Sequence, residues 1–239
     1  MARHMDAAET IGQRIISGLL PPGAVLPTAG EIAVDVKLSR PAMREGIKIL
    51  SGKGLVQSVP GRGTVVRPRV EWNLFDADVL RWHQGSEPSA AFVRDLYALR
   101  RAVEAEAGAM AAQRASPTDL AKIEAAIQTM AVAETVSLAS LKADLSFHQA
   151  ILVASGNHFL VALAPIIETS LMVTFRLQRK VCPIPEHFVP DHQAIFIAIK
   201  RGDVAGVRLA TTALLDRAEV AAMESLKTAD APFSKEPEE

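Results

Sequence analysis

A chain of 239 residues is long enough for two domains of ordinary size, and a hydrophobic share of 49% with only 5% aromatic residues argues against a β-rich fold. One cysteine, Cys182, excludes an internal disulfide framework and fits a reducing cytosol; no apolar run approaches the roughly 18 residues of a membrane span. The net charge of −1 conceals a split, because residues 1–70 hold 10 Lys and Arg against 5 Asp and Glu while the remainder holds 16 against 22. Between Lys37 and Arg69 stand 8 cations and one acid, Glu45. The N-terminal MARHMDAAET lacks the apolar core of a signal peptide. These bounds describe a cytoplasmic protein with a nucleic-acid-binding head on a body not built for the same polymer.

In chain order, residues 7–20 place Ile11, Ile15, Ile16 and Leu19 on one side of a short amphipathic helix. Pro21-Pro22-Gly23 ends it, and Ala24-Val25-Leu26 is long enough only for a short strand. A second helix follows over roughly 29–37, with Ile32, Ala33 and Val36 inward. Ser39 sits where an N-cap belongs and Pro41 falls in the first turn of a third helix, where a missing N–H costs little. Met43, Ile47 and Leu50 recur at helical spacing, and Gly52 and Gly54 mark the stop. Arg40, Arg44 and Lys48 are spaced by four, so one exposed face carries three cations. Two alternating runs, 55–59 and 64–67, flank Pro60-Gly61-Arg62-Gly63, a hairpin signal with a cationic tip. Helix, short strand, helix, turn, helix, hairpin is the order of a winged helix-turn-helix, shaped to grip double-stranded DNA.

Residues 68–90 read as a linker, yet Trp72, Leu74, Phe75, Val79, Leu80 and Trp82 are too apolar for a free tether, so the segment is expected to pack against a domain. From 91 to 228 the chain reads as consecutive helices: 92–115, 118–132, 138–155, 159–180, 189–201 and 203–226. Short connections make sequential helices antiparallel neighbours, an all-helical bundle. Residues 229–239, APFSKEPEE with its approach, read as a disordered tail. The fold is therefore mainly α: a winged helix-turn-helix over 1–67, a linker over 68–90, and a helical bundle over 91–228.

Chemistry in the bundle rests on Asp144, His148 and His192. Asp144 and His148 are four residues apart, on one helix face, and imidazole nitrogens with a carboxylate oxygen suit zinc and related divalent metals. The same pair also fits an exposed surface role. Arg176 follows the mostly apolar run SLMVTF and is a candidate for binding an anion, as an arginine fork takes a carboxylate bidentately. Asn157 reads as a helix cap, His187 as a loop histidine and Asp191 as an acid at a helix N-terminus.

PPGAVLPTAGEIAVDVKLSRPAMREGIKILSGKGLVQSVPGRGTVV resembles the DNA-binding domain of the GntR family of bacterial transcription regulators over nearly all of residues 7–67. Its marks are PPG-x-x-LP, SR-x-x-x-RE and GLV followed by GRGT. The resemblance implies that Arg40 and Arg44 contact operator bases or phosphates, Ser39 a phosphate, and Gly61 with Arg62 the minor groove. Gly30 departs from the family, many of whose members carry a polar or charged residue there. WNLFDADVLRW is similar to the linker of family members that control sugar-acid catabolism.

ADLSFHQAILVASGN and DHQAIFIAIKRGD resemble the ligand-binding (FCD-type) domain of the FadR branch, many members of which hold a metal with an aspartate and three histidines. Asp144, His148 and His192 match three of those ligands. The third histidine, 22 residues beyond the second, falls at Leu214, which cannot ligate. Either three protein groups hold the ion, with water or effector completing its shell, or the site binds metal weakly. The motif LRRAVE places Arg100 facing the bundle interior, four residues before Glu104, to meet an anionic effector or to form an internal salt bridge. The implied protein is a homodimeric repressor of a carboxylic-acid or sugar-acid operon, released from DNA by a small carboxylate. Two other classes fit parts of the chain. A metal-dependent hydrolase would use three ligands and an open position, though no general base stands beside them. A constitutive DNA-binding protein would use the bundle only to dimerise, and Leu214 favours that idea.

Overall fold

In a computed structural model that describes residues 3–27, 39–132, 137–178 and 186–230, the chain divides into two units, Met1–Pro88 and Ser89–Glu239. The first unit holds α1 (Arg3–Ile16), α2 (Arg40–Gly52), β1 (Val56–Val59), β2 (Gly63–Val66), a 3-10 turn (Arg69–Glu71) and α3 (Ala77–Gly85). The helix expected over 29–37, with Gly30, lies outside the described residues, as do Cys182 and the tail from 231 onward.

Helix α1 buries Ala7, Ala8, Ile11 and Ile15, the face that its four-residue spacing dictates. Ser39 caps α2, its hydroxyl oxygen accepting from the Ala42 N–H at 3.4 Å, and Pro41 falls in the first turn. Met43, Gly46 and Leu50 form the buried face of α2. Gly46 permits close helix packing, since a Cβ there would lie 2.8 Å from that of Ala7. Strands β1 and β2 pair antiparallel from Val56 opposite Val66 to Val59 opposite Gly63, with Gly61 at φ 72° shaping the tip. The short strand expected at 24–26 is a bridge of Val25 to Val65, extended by Leu26 N–H donating to the Thr64 carbonyl at 2.8 Å.

Where the sequence reads as a packed linker, the structure has a nine-residue helix inside the first unit. Asp76 caps α3, and Asp76 and Asp78 receive Lys53 Nζ at 2.7 and 2.8 Å, tying the end of α2 to the start of α3. Trp72, Val79 and Trp82 share one buried cluster with Ile11, Ile15, Met43, Leu50 and Leu55. Each such side chain, fully buried, contributes about 1.5–3 kcal/mol. The Trp82 ring fits because position 12 is glycine: a Cβ there would stand 2.4 Å from the ring.

The second unit comprises α4 (Ala90–Arg114), α5 (Pro117–Ala131), α6 (Leu138–Ala154), α7 (His158–Ala162), α8 (Ala164–Gln178), α9 (Phe188–Lys200) and α10 (Val204–Asp230). Ser89, Ser116, Ser137 and Asn157 cap α4, α5, α6 and α7, as their side chains accept first-turn N–H groups. The single helix expected over 159–180 is broken at Leu163. Pro165 has no N–H to give to the preceding turn, so the chain restarts as α8. Sequential neighbours α5 and α6, and α9 and α10, do pack together, but α4 packs most extensively on the last helix, α10. Gly108 allows that approach, for a Cβ there would meet Val207 at 2.6 Å. Arg101 on α4 reaches Asp216 at 3.1 Å and Glu219 at 2.7 Å on α10.

Two outcomes follow for the first unit. Gly12→Ala overpacks Trp82 and costs about 1–3 kcal/mol, read as an earlier unfolding transition of this unit alone; an unmoved transition would mean that α1 and α3 can separate. His83 on α3 is held down to about 4 from its ordinary 6.5, by burial first and by the Arg69 guanidinium second. Between those values the unfolded chain takes the proton and the folded one does not, so stability falls as pH drops from 6.5 towards 4. In denaturant titrations across that range, His83→Gln should show a shallower decline than the unaltered chain.

Candidate functional site

The bundle brings charged groups from three helices into one buried cluster. Arg100 and Glu104 lie one turn apart on α4, Asp144 and His148 one turn apart on α6, and His192 in the first half of α9. Arg100 is 1% exposed and His192 2%, depths at which charge must be paired. Arg100 Nε donates to Glu104 Oε1 at 2.6 Å, and Glu104 Oε2 lies 2.5 Å from His148 Nδ1. His148 Nε2 and His192 Nε2 stand 3.2 and 3.0 Å from the same oxygen, Asp144 Oδ1. Phe147 sets its ring edge-on to both imidazoles, with centroids 5.3 and 4.8 Å away.

Hydrogen bonding fixes which ring nitrogens carry protons. His192 Nδ1–H donates to the Phe188 carbonyl at 2.6 Å, and His148 Nδ1 faces the Glu104 carboxylate. Each neutral ring therefore turns a bare Nε2 towards Asp144, an arrangement in which outer-shell acceptors orient imidazoles for a metal. The three ligand atoms lie within 4.8 Å of one another. Separations of 3.0 and 3.2 Å from the carboxylate oxygen suit groups bonded to one ion at about 2.0–2.2 Å. The donor set fits a divalent metal. Without one, the negative charge draws protons instead. Burial opposes a charged His148, yet Glu104 and Asp144 outweigh it and hold the ring up at about 9. Burial likewise opposes ionisation of Glu104 and Asp144, but Arg100 and His148 bring Glu104 down to about 2, and the adjacent His148 and His192 hold Asp144 below the usual carboxylate range.

A cavity of about 70 Å³ opens beside these groups, lined at one end by Arg100, Asp144, His148 and His192 and on its apolar side by Leu171, Leu214, Ala218 and Ala221. Leu214 is buried at the cavity wall and offers no ligand atom. Arg100 thus both forms the internal salt bridge and faces the cavity. Arg176 does not line this cavity. On α8 it is Leu171, Thr174 and Gln178, spaced three and four apart, that line the cavity, and Arg176, two residues past Thr174, points outward and is exposed. Sequence reasoning missed Arg217, which lines the cavity and holds Asp191 in a bidentate pair at 2.8 and 2.6 Å. Its spacing of three from Leu214 was the available signal. Tyr97, three residues before Arg100, was missed likewise; its hydroxyl lies 2.9 Å from Thr174 Oγ1. His187 and Asp191, read as incidental, also line the cavity.

In the first unit, Ser39, Arg40 and Arg44 occupy the exposed N-terminal part of α2, and neither arginine has an ion-pair partner among the described residues. Lys48 continues the stripe but pairs with Glu45 at 2.8 Å. Gly61 and Arg62 form the exposed hairpin tip, where Arg62 Nη2 donates to the Gly23 carbonyl at 3.4 Å. No helix among the described residues is long and apolar enough to cross a membrane.

Comparison with known proteins agrees with both halves. Residues 5–66 match the family described as bacterial regulatory proteins, gntR family, and residues 95–217 match the FCD domain. The chain is 30% identical over 203 residues to the galactonate operon transcriptional repressor of Escherichia coli (strain K12), covering 81% of this chain and 85% of that protein. It is 30% identical over 217 residues to the HTH-type transcriptional regulator LutR of Bacillus subtilis (strain 168), covering 86% and 94%. The fold is shared with the solved structure of Listeria monocytogenes Lar, at a TM-score of 0.65 and 17% identity over 94% of this chain and 98% of that one. It is shared also with Escherichia coli McbR/YncC, at a TM-score of 0.53 and 15% identity over the same 94% and 98%. The family is one of transcription regulators, which removes the hydrolase. With a winged helix-turn-helix and an FCD-type helical domain in one chain, this protein belongs to the GntR family and is a DNA-binding transcription regulator.

Proposed function

We propose that this regulator is a homodimeric repressor of a carboxylic-acid or sugar-acid catabolic operon, released from its operator by a small carboxylate bound in the second unit. The observation that carries this reading is Arg100: a guanidinium at 1% exposure, facing a cavity, with three metal-ligand atoms converging beside it. Galactonate is the operon named for one relative, and that chemistry, an acid with hydroxyls, suits an arginine next to a metal. Asp144, His148 and His192 would hold the ion, zinc by their donor chemistry, and the ion when bound would supply Lewis acidity toward the effector's oxygens. Residues 91–228 would then serve sensing and dimerisation, and residues 1–67 DNA binding. Two recognition helices related by the dimer axis read the half-sites of a near-palindromic operator. Release requires that the carboxylate favour the DNA-incompetent arrangement of heads, since equal affinity for both shifts nothing.

The reading is tested by thermal unfolding of metal-stripped protein, with and without zinc, against D-galactonate, L-lactate and other small carboxylates. A ligand that binds only the native state at about 100 times its Kd adds about 2.7 kcal/mol. A zinc-dependent rise with one acid, matched by its release of the protein from operator DNA, is the expected result. No rise with any acid would instead leave the bundle as a dimerisation module.

For the DNA-facing residues, Arg44→Ala should weaken operator binding by about 1–3 kcal/mol with relaxed sequence preference, the mark of a lost bidentate base contact. Arg62→Ala should lower affinity for operator and random duplex alike. Titrations at fixed salt decide this; if both variants lose equally on both duplexes, the division of roles is wrong.

A further inference from the structure

Glu104 stands against two groups of different purpose. Its Oε1 accepts from Arg100 Nε at 2.6 Å and its Oε2 meets His148 Nδ1 at 2.5 Å, all three side chains being at most 5% exposed. The triangle closes on its third side, for Arg100 Nη2 lies 3.4 Å from His148 Nε2, the nitrogen turned towards Asp144. One carboxylate charge is thus shared between the cavity's cation and the imidazole of a metal ligand. We propose that Glu104 is a positioning residue that couples metal binding to carboxylate binding: it orients and polarises His148 for the ion, and Arg100 restrains it until an external carboxylate draws the guanidinium away.

The inference rests on the metal and effector reading above, and its physical content is a competition. A carboxylate that accepts Nδ1–H makes Nε2 a better ligand. The guanidinium works against this twice, by dividing the charge of Glu104 and by placing its own N–H beside the metal-facing Nε2. An external carboxylate on Arg100 takes over part of that hydrogen bonding, leaving Glu104 more fully to His148. Metal affinity then rises, and by linkage the metal raises affinity for the carboxylate by the same factor. No movement of helices is needed, only a redistribution of hydrogen bonds among three side chains already in contact.

The test is zinc affinity of the full-length chain by competition with a chromophoric chelator at one pH, with acetate as the carboxylate probe. Without acetate, Glu104→Gln should bind zinc about 10–100-fold more weakly, with part of the loss recovered by Glu104→Asp. Arg100→Gln should bind zinc about tenfold more tightly, since a like charge is removed from a few ångström away. Opposite signs are the signature, because a role confined to packing would weaken both. With acetate, zinc binding by the unaltered chain should tighten about fivefold or more, and Glu104→Gln should keep only the smaller gain that comes from acetate meeting the ion directly. If Glu104→Gln leaves Arg100 unpaired and the chain fails to fold, the double variant Arg100→Gln, Glu104→Gln has no orphaned charge, and it should bind zinc more weakly than Arg100→Gln alone. Zinc binding by Glu104→Gln within twofold of the unaltered chain, or an acetate effect as large in it as in the unaltered chain, overturns the coupling while leaving the metal site standing. Failure of the unaltered chain to bind zinc overturns both.

Discussion

A guanidinium buried to 1% exposure must have an anion against it, and the second unit is arranged around meeting that requirement. Glu104 supplies the anion from one turn along the same helix, which makes the pair local to α4 and independent of how the bundle closes. The second carboxylate oxygen lies against His148 from α6. His148 in turn faces Asp144, and Asp144 reaches His192 on α9. The chain of contacts runs from one charge through three helices. Removing any member strands a neighbour, so the cluster specifies how α4, α6 and α9 meet while adding little net stability of its own.

The first unit obeys a different constraint, one of volume. Its cluster is closed by Trp72 and Trp82, which enter from the segment after the hairpin and not from the helix-turn-helix itself. That closure needs a missing side chain at Gly12 and a cation, Lys53, to hold the capping acids of α3. The residues proposed to face DNA stand apart from this packing. Ser39, Arg40 and Arg44 are exposed on α2 while Met43, Gly46 and Leu50 anchor its opposite face, so the proposed contact surface is displayed by a helix whose position is set from behind.

Much of this was legible in the sequence. Period-four spacing gave the buried faces of α1 and α2, glycines gave the hairpin tip, and Asn157 reads as the helix cap that the structure shows. The pair Asp144 and His148 shares a helix face by spacing alone, His192 joins them as a candidate by its chemistry, and family resemblance matches all three to metal ligands and points to Leu214. What spacing could not give was the partner across the bundle. Arg176 follows Phe175 and Arg217 stands two residues beyond Leu215, and only the packing of α8 and α10 turns one outward and the other to the cavity. The α3 helix was hidden because nine residues carry too few turns for a periodic signal, and its aromatic content reads equally well as a packed linker. The break at Leu163 was signalled by Pro165, whose effect on the preceding turn was outweighed by the continuous apolar pattern around it.

The distribution of aromatic chromophores has a consequence of its own. The chain has two tryptophans and one tyrosine. Both tryptophans are buried in the first unit, while Tyr97 lines the cavity of the second with its hydroxyl beside Thr174 and the Arg100 guanidinium carbon 5.3 Å from its ring centre. Each unit therefore carries its own optical label. Indole emission reports on the DNA-binding half, and the phenol's near-ultraviolet signal on the state of the cavity, with no dye and no added residue. Both units can in this way be watched in a single cuvette.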